Sequence, residues 1–234
     1  MPRSNEMKKL VVLTGAGVSA ESGIRTFRDS NGLWGNHDIM EVASAEGWRK
    51  NRDLVQNFYN QRRKHARDCQ PNDAHLTLAR LESHFDVQII TQNIDDLHER
   101  AGSSRVLHLH GELTKAQSSI DPRLIYPLDH WEIKTGDKCE KGSQLRPHIV
   151  WFGEDVPMML PAMDLAQRAE IFLVLGTSMQ VYPAASLIDY VPQTAKKFLI
   201  DPQVPDFRLG NDVIVIQESA TVGMKILEKI LLES

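Results

Sequence analysis

What the sequence lacks narrows it first. It has only two cysteines, Cys69 and Cys139. That is too few for a disulfide framework, so a reduced, cytoplasmic setting is expected. It has no excess of positive charge: 27 Lys and Arg face 31 Asp and Glu, for a formal net charge of -4. Nothing electrostatic therefore points to a nucleic-acid partner. No apolar run approaches the roughly 20 residues of a bilayer span, so no membrane role is expected. The opening stretch MPRSNEMKKLVVLTGAG runs from a few basic residues through a short apolar run into a glycine loop. It reads as a buried strand rather than a signal peptide. No low-complexity linker and no internal repeat breaks the chain. At 234 residues, 41% apolar and 25% charged, it fits one soluble domain, or one domain with a sizeable insertion.

What is present is a rhythm. Short apolar runs occur at 9–13 (KLVVL), 87–90 (VQII), 105–109 (RVLHL), 171–176 (IFLVLG), 197–200 (KFLI) and 212–216 (DVIVI). Near-continuous apolar strands between helical segments predict an α/β fold, a parallel sheet covered by helices on both faces. Residues 72–84 repeat apolar side chains at helical spacing, with Asn72 and Asp73 as caps; 161–170 and 220–232 also read as helices. Two stretches break the rhythm. Residues 28–71 and 114–147 are taken as insertions that form a smaller module. The Rossmann-like part is then 1–27, 72–113 and 148–234.

Several constellations carry chemistry. Gly15-Ala16-Gly17-Val18-Ser19-Ala20 follows the first apolar run with G-x-G-x-x-A spacing. Glycines there let backbone N–H groups approach a pyrophosphate, with a helix N-terminus to favour its charge; a plain tight turn is the alternative. The acid expected about 20 residues on, which would grip a ribose in a hydride-transfer enzyme, is absent. Gln92-Asn93-Ile94-Asp95 and Gly176-Thr177-Ser178 each follow an apolar run. Carboxyl ends of parallel strands are where an open sheet binds ligand. Asn93 or Asp95 could equally cap a helix. LHLHGEL (107–113) puts His108 and His110 on one strand face. An imidazole titrates near neutrality and suits proton transfer. A metal reading of the pair finds no further well-spaced ligands. Tyr59 and Arg62, at i and i+3, share one helix face and could hold a carboxylate. The alternative is an ordinary helix with a basic outer face.

Taken together, GAGVSAESGIRTFRDSNGLW, TQNIDDLHERAG, LHLHGEL, HIVWFGE and GTSMQVYPAA resemble, in order, the motifs of the sirtuins, NAD-dependent protein deacylases. The resemblance covers most of the chain. It implies that NAD is consumed: the nicotinamide–ribose bond breaks and the acyl oxygen of a modified lysine attacks the ribose. Free lysine and 2′-O-acyl-ADP-ribose result. It further implies that Gly15, Ala16, Gly17, Ala20, Phe27 and Arg28 line the cofactor loop, with Phe27 shielding the reactive ribose from water. Gln92, Asn93, Asp95, Gly176, Thr177, Ser178, Asp201 and Ala220 would complete the NAD site. His110 would be the catalytic base, with Asn93 beside it. Val150, Trp151, Phe152, Gly153 and Glu154 would receive an extended acyl-lysine peptide by strand addition; Trp151 and Phe152 could equally be core aromatics. His108 is expected to be structural.

The Tyr59-x-x-Arg62 pair resembles the branch that removes succinyl, malonyl or glutaryl groups, including bacterial members that also deacetylate. One feature departs from the family. Four zinc-binding cysteines are usual between the catalytic histidine and the substrate strand; here that region holds only Cys139, and AQSSIDP and DKCEKG stand where the pairs would fall. No zinc and no other metal is expected. Packing by Leu124, Ile125, Tyr126, Leu128, Trp131 and Ile133 should hold the module instead. A protein ADP-ribosyltransferase and a non-catalytic NAD-sensing module are the alternatives to a deacylase. Oligomeric state is not legible; a monomer is expected.

Overall fold

The computed structural model describes residues 7–25, 33–34, 37–203 and 212–233. In chain order its strands are β1 (Lys9–Thr14), β2 (Leu33–Trp34), β3 (His37–Asp38), β4 (Asp86–Thr91), β5 (Val106–His108), β6 (Gly111–Ser118), β7 (Ile125–Pro127), β8 (Leu145–Ile149), β9 (Ile171–Leu175), β10 (Lys196–Ile200) and β11 (Val213–Ile216). The helices are α1 (Gly17–Ala20), α2 (Ile39–Val42), α3 (Ala45–Lys50), α4 (Arg52–Asp68), α5 (Asp73–Leu81), α6 (Leu97–Arg100), α7 (Met159–Gln167) and α8 (Ala220–Leu232).

Each apolar run of the sequence is a strand of one sheet, in the order β11-β10-β9-β1-β4-β5, with parallel pairings throughout. Successive side chains of a strand face opposite ways, and both faces are buried. Leu10, Val12, Ile89 and Leu173 enter a core with Leu78 of α5 and Met224 and Leu227 of α8. Val11, Leu13, Ile90, Phe172 and Val174 enter another with Ala162 and Ala166 of α7. Asn72 caps α5 as the sequence predicts: its side chain accepts from Ala74 N, and the His75 side chain reaches back to the cap N–H. The chain builds outward from β1 through β4 to β5, then returns on the other side through β9, β10 and β11. The reversal falls between β1 and β9. Their carboxyl ends, Thr14 and Leu175, lie side by side, the point at which open α/β sheets bind ligands.

A second sheet, β7-β6-β8, is antiparallel. It packs with α2, α3 and α4 around Trp48, Val55, Phe58, Tyr59, Leu113, Ile149 and Trp151. This corrects the expected anchors. Of the six residues named above, Ile133 alone is buried, and Ile125 is exposed. The true core comes from aromatics of α3 and α4 meeting Trp151, with Trp48 and Trp151 ring centroids 5.6 Å apart.

Buried Arg63 and Asn60 of α4 supply the polar ties. The Arg63 guanidinium donates to the Leu113 carbonyl and, at 2.8 Å, to the Trp131 carbonyl. Asn60 exchanges two 2.9 Å bonds with the Ile133 backbone. Arg63→Met strands those carbonyls. We expect a loss of about 3 kcal/mol, or a thermal midpoint lower by roughly 6–12 °C, measured by calorimetry.

Where the family resemblance implies zinc, the side chains do not suit it. Cys139 Sγ lies 3.3 Å from Ser118 Oγ and 3.2 Å from Ser143 Oγ, and the two hydroxyls are 3.0 Å apart. Asp121 beside them is engaged by Lys141 at 2.8 Å and Arg123 at 3.0 Å. One thiol and two neutral hydroxyls are a poor substitute for thiolate and imidazole ligands. Among the described residues no three His, Cys, Asp or Glu side chains gather as a metal set. A hydrogen-bonded clip joins the two segments instead. Chelator treatment should therefore leave activity and melting temperature unchanged. Stoichiometric zinc by elemental analysis, lost together with stability on chelation, would contradict this.

Candidate active site

The two glycine loops meet because neither has a Cβ. A Cβ on Gly17 would stand 2.7 Å from Gly176 Cα, and Gly176 itself has φ +62. Gly15 N donates to Leu175 O at 3.1 Å and Gly17 N to Gly176 O at 2.8 Å. This refines the sequence reading. Those two amides hold the loops together rather than facing a phosphate, and α1 is only four residues long. The glycines are needed for close approach of the loops.

Above the crossing opens a cavity of about 430 Å³. Gly15, Ala16, Gly17, Ala20, Gln92, Asn93, Asp95, Gly176, Thr177, Ser178, Asp201 and Ala220 line it, as do His110, Tyr59, Arg62 and Val150 through Glu154. Phe27 and Arg28 lie outside the described residues. Ile149, at the head of the expected substrate segment, lines the cavity too, and sequence reasoning missed Ile24, Ala43, Ile94 and Val156, apolar residues on the same space. Ile24 and Ile94 lie inside the quoted motifs but carry no polar group to single them out, and Ala43 and Val156 lie outside every motif.

The floor is a buried polar net. Asn93 Nδ2 donates to Gly15 O and to Ser19 Oγ, both at 3.1 Å. Ser19 Oγ donates to Asp95 Oδ2 at 3.2 Å. With its hydrogen so used, the hydroxyl must accept from His75 Nε2 at 3.4 Å. His75 Nδ1 meanwhile accepts the Asn72 N–H. His75 is therefore neutral, and burial pushes its pKa down to about 4. Burial raises the Asp95 carboxyl, against the pull of the Leu97 N–H and the Ser19 hydroxyl. Asp95 Oδ1 accepts that Leu97 N–H at 3.2 Å, so it lines the cavity and helps begin α6 together. Gln92 Nε2 reaches Thr177 Oγ at 3.1 Å and links the strand ends across β1.

His110 sits just past the end of β5. Gly111 follows at φ +82, where a Cβ would lie 2.1 Å from His148 O, and Val150 N donates to the His110 carbonyl at 2.9 Å. The ring Nδ1 is 3.0 Å from the Gln92 carbonyl oxygen. A carbonyl only accepts, so Nδ1 carries hydrogen and, in the neutral ring, Nε2 carries the lone pair. Burial lowers the His110 pKa, and the carbonyl bond opposes it only in part. The ring is thus neutral and basic at neutral pH.

Tyr59 is fully buried and Arg62 partly so. The Tyr59 ring packs 6.4 Å from Trp151, and the Arg62 guanidinium lies 5.6 Å from the Phe58 ring centre. Burial drives the Tyr59 pKa up strongly. Burial lowers Arg62 to about 10, against the pull of Tyr59 and Asp95, which leaves it cationic at neutral pH.

The substrate segment differs from its expected form. The strand stops at Ile149, and 150–154 is irregular. The amides of Val150 and Phe152 already bond His110 O and Ala43 O. Both Glu154 oxygens are held by Arg146, at 2.7 and 3.1 Å, and one also takes the Trp151 N–H. Glu154 thus clamps the turn, and the Arg146 guanidinium lies 3.5 Å over Trp151. A peptide strand laid here would have to bond chiefly to carbonyls of this segment.

A doubly covered parallel sheet, glycine loops crossing at its switch point, and a histidine at the rim of a deep cleft define a nucleotide-binding α/β protein. The Sir2 family profile matches residues 15–183. An NAD-dependent protein deacylase of Helicobacter pylori is 54% identical over 229 residues, which is 97% of this chain and 99% of that protein. A solved Sir2 homologue in complex with NAD is 39% identical, with TM-score 0.87, covering 97% of this chain and 91% of that one. A solved Sir2 bound to acetylated peptide is 28% identical, with TM-score 0.79 over 98% and 96%. The chain belongs to the Sir2 family. Among the described residues no helix is long and apolar enough to cross a membrane.

Proposed function

We propose that the protein is an NAD-dependent protein-lysine deacylase that takes acetyl and, with preference, dicarboxylic acyl groups such as succinyl. The observation that supports it best is His110: a neutral imidazole whose Nδ1 is committed to the Gln92 carbonyl, on the same cavity as the glycine loops and the Tyr59–Arg62 pair. NAD is the co-substrate and supplies an electrophilic ribose carbon once nicotinamide leaves. Asn93 and Asp95, fixed by Ser19 and Gly15, orient the carboxamide and ribose. The loops at 15–20 and 176–178 hold the phosphates and ribose, with Asp201 and Ala220 at the adenosine end. His110 Nε2 takes a proton from a ribose hydroxyl, which frees that oxygen to attack the acyl carbon. The apolar walls exclude water, which would otherwise hydrolyse the cofactor. The substrate enters as an extended peptide, its acyl-lysine passing Val150 and Phe152. Tyr59 and Arg62 receive the distal carboxylate, one by its hydroxyl and the other by a charge-assisted bond.

The test mixes purified protein, NAD and equal amounts of succinyl-lysine and acetyl-lysine peptides, and follows nicotinamide and both peptides by mass spectrometry. Faster loss of succinyl with matched nicotinamide release supports the full reading. Loss of acetyl alone removes the role of Tyr59 and Arg62. Nicotinamide release with both peptides intact points to ADP-ribosyl transfer or simple NAD hydrolysis.

A further inference from the structure

Three histidines surround the floor of the cavity without a part in that chemistry: His75 and His98, both buried, and His108, partly so. Their protonation follows from their neighbours. His75 is neutral, as shown above. His98 Nε2 lies 3.1 Å from Thr14 Oγ, whose hydrogen goes to Thr91 Oγ at 2.8 Å. One ring nitrogen therefore donates, and burial holds the pKa well below its ordinary value. His108 is different. Its Nδ1 is 3.0 Å from the Asn93 carbonyl oxygen and its Nε2 is 2.8 Å from Glu99 Oε1. A carbonyl and a carboxylate both accept only, so both ring nitrogens must carry hydrogen. The alternative, a protonated Glu99 donating to a neutral ring, needs a neutral carboxyl that is 40% exposed.

We infer that His108 and Glu99 form a standing imidazolium–carboxylate pair that positions the Asn93 backbone, and through it the side chains at the nicotinamide–ribose end of the cavity. Asn93 is tied on every side. Its N–H donates to Thr91 Oγ at 3.0 Å, its side chain to Gly15 and Ser19, and its carbonyl accepts from His108. The imidazolium supplies the only one of these ties that carries a full charge. It joins α6 to the end of β5, two residues before His110. The groups facing it agree with a cation. Burial pushes His108 down, but the bond and charge of Glu99 outweigh it, and Glu112 of β6 adds to the rise. Burial would raise Glu99, yet His108 brings it below its ordinary value. Lys115 is neutralised by Glu112 at 2.6 Å, and burial lowers His148. The same positive charge opposes the rise that burial imposes on Asp95.

The effect on catalysis rests on the deacylase reading; the charge state does not, and the experiment separates them. Side-chain ¹⁵N spectra of the whole protein near pH 7.5 should show both His108 nitrogens protonated, and Glu99→Gln should make the ring neutral at that pH. A neutral His108 ring in the unaltered protein overturns the proposal, whatever the enzyme does. Peptide-dependent nicotinamide release by the unaltered protein then establishes the reaction. On that footing His108→Leu should lower kcat/KM for NAD about 10- to 100-fold, the equivalent of a charge-assisted hydrogen bond, and leave the KM for acyl-peptide near its original value. His108→Asn, whose uncharged amide can stand where ring Nδ1 stood, should recover only part of the loss. If the histidine only stabilises the fold, both variants will follow their melting temperatures and shift NAD and peptide parameters alike, which would also overturn it. Should no peptide be deacylated, NAD affinity by calorimetry takes the place of kcat/KM in the same variants.

Discussion

His110→Ala should lower deacylation by about a thousandfold, within the 10²–10⁴ typical of a lost general base, while NAD affinity changes little. The reasoning is geometric. His110 Nδ1 is bound to the Gln92 carbonyl at 3.0 Å, so the imidazole meets the cavity with the tautomer that accepts a proton. Alanine removes that acceptor and leaves the glycine loops intact, because Gly15 N bonds Leu175 O and Gly17 N bonds Gly176 O without it. The pH profile carries a second expectation. Burial lowers the His110 pKa below its ordinary value, and a base works only when deprotonated. Activity should therefore fall with acidification through a pKa below that of free histidine, and stay level above it until another group titrates. The alanine variant should lose that acidic limb. Initial rates of nicotinamide release and peptide loss across pH 5–9, with NAD binding by calorimetry, check both. A variant that keeps most of its activity would remove His110 from the mechanism.

How much of this was legible in the sequence depended on the range of the interaction. The parallel sheet was plain because strands buried on both faces must be apolar at almost every position, as KLVVL and IFLVL are. Asn72 was legible because a cap acts within three residues. The cavity residues at 15–17, 92–95 and 176–178 were legible because each group sits directly after a strand, where chain geometry alone delivers it to the sheet edge. The module core was not. Trp48 and Trp151 are about a hundred residues apart in sequence and meet only in the fold. The apolar residues of 124–133 looked like anchors for want of any other, yet Ile125 is exposed. Single charged residues were equally silent. Arg63 and Arg146 lie in no motif and Glu99 has no mark of its own within TQNIDDLHERAG; their importance comes from burial or from their partners, two carbonyls, Glu154 and His108 respectively. Even Glu154, expected at the substrate, has both oxygens held by Arg146.

Arg62→Met should separate the acyl groups. Succinyl-lysine turnover is expected to fall about 30- to 1,000-fold, as befits a desolvated carboxylate deprived of its charge partner. Acetyl-lysine turnover should stay within a few fold, since acetyl brings no charge to that place. The environment sharpens the contrast. Burial has lowered the Arg62 pKa only to about 10, so a cation stands in a partly dry cavity at neutral pH, where a carboxylate is worth more to it than in water. Methionine matches the length of the arginine stem and replaces the guanidinium over Phe58 with an apolar thioether, so packing loss is kept apart from charge loss. Tyr59→Phe should have the smaller effect of about tenfold on succinyl alone, because the ring against Trp151 is kept. Burial drives the Tyr59 pKa upward, so its hydroxyl remains a donor over the whole working range and adds no titration of its own. Paired kcat/KM values for the two peptides, taken on each variant and across pH, read the result. Equal losses for both acyl groups would mean that Arg62 supports the cavity without reading the carboxylate.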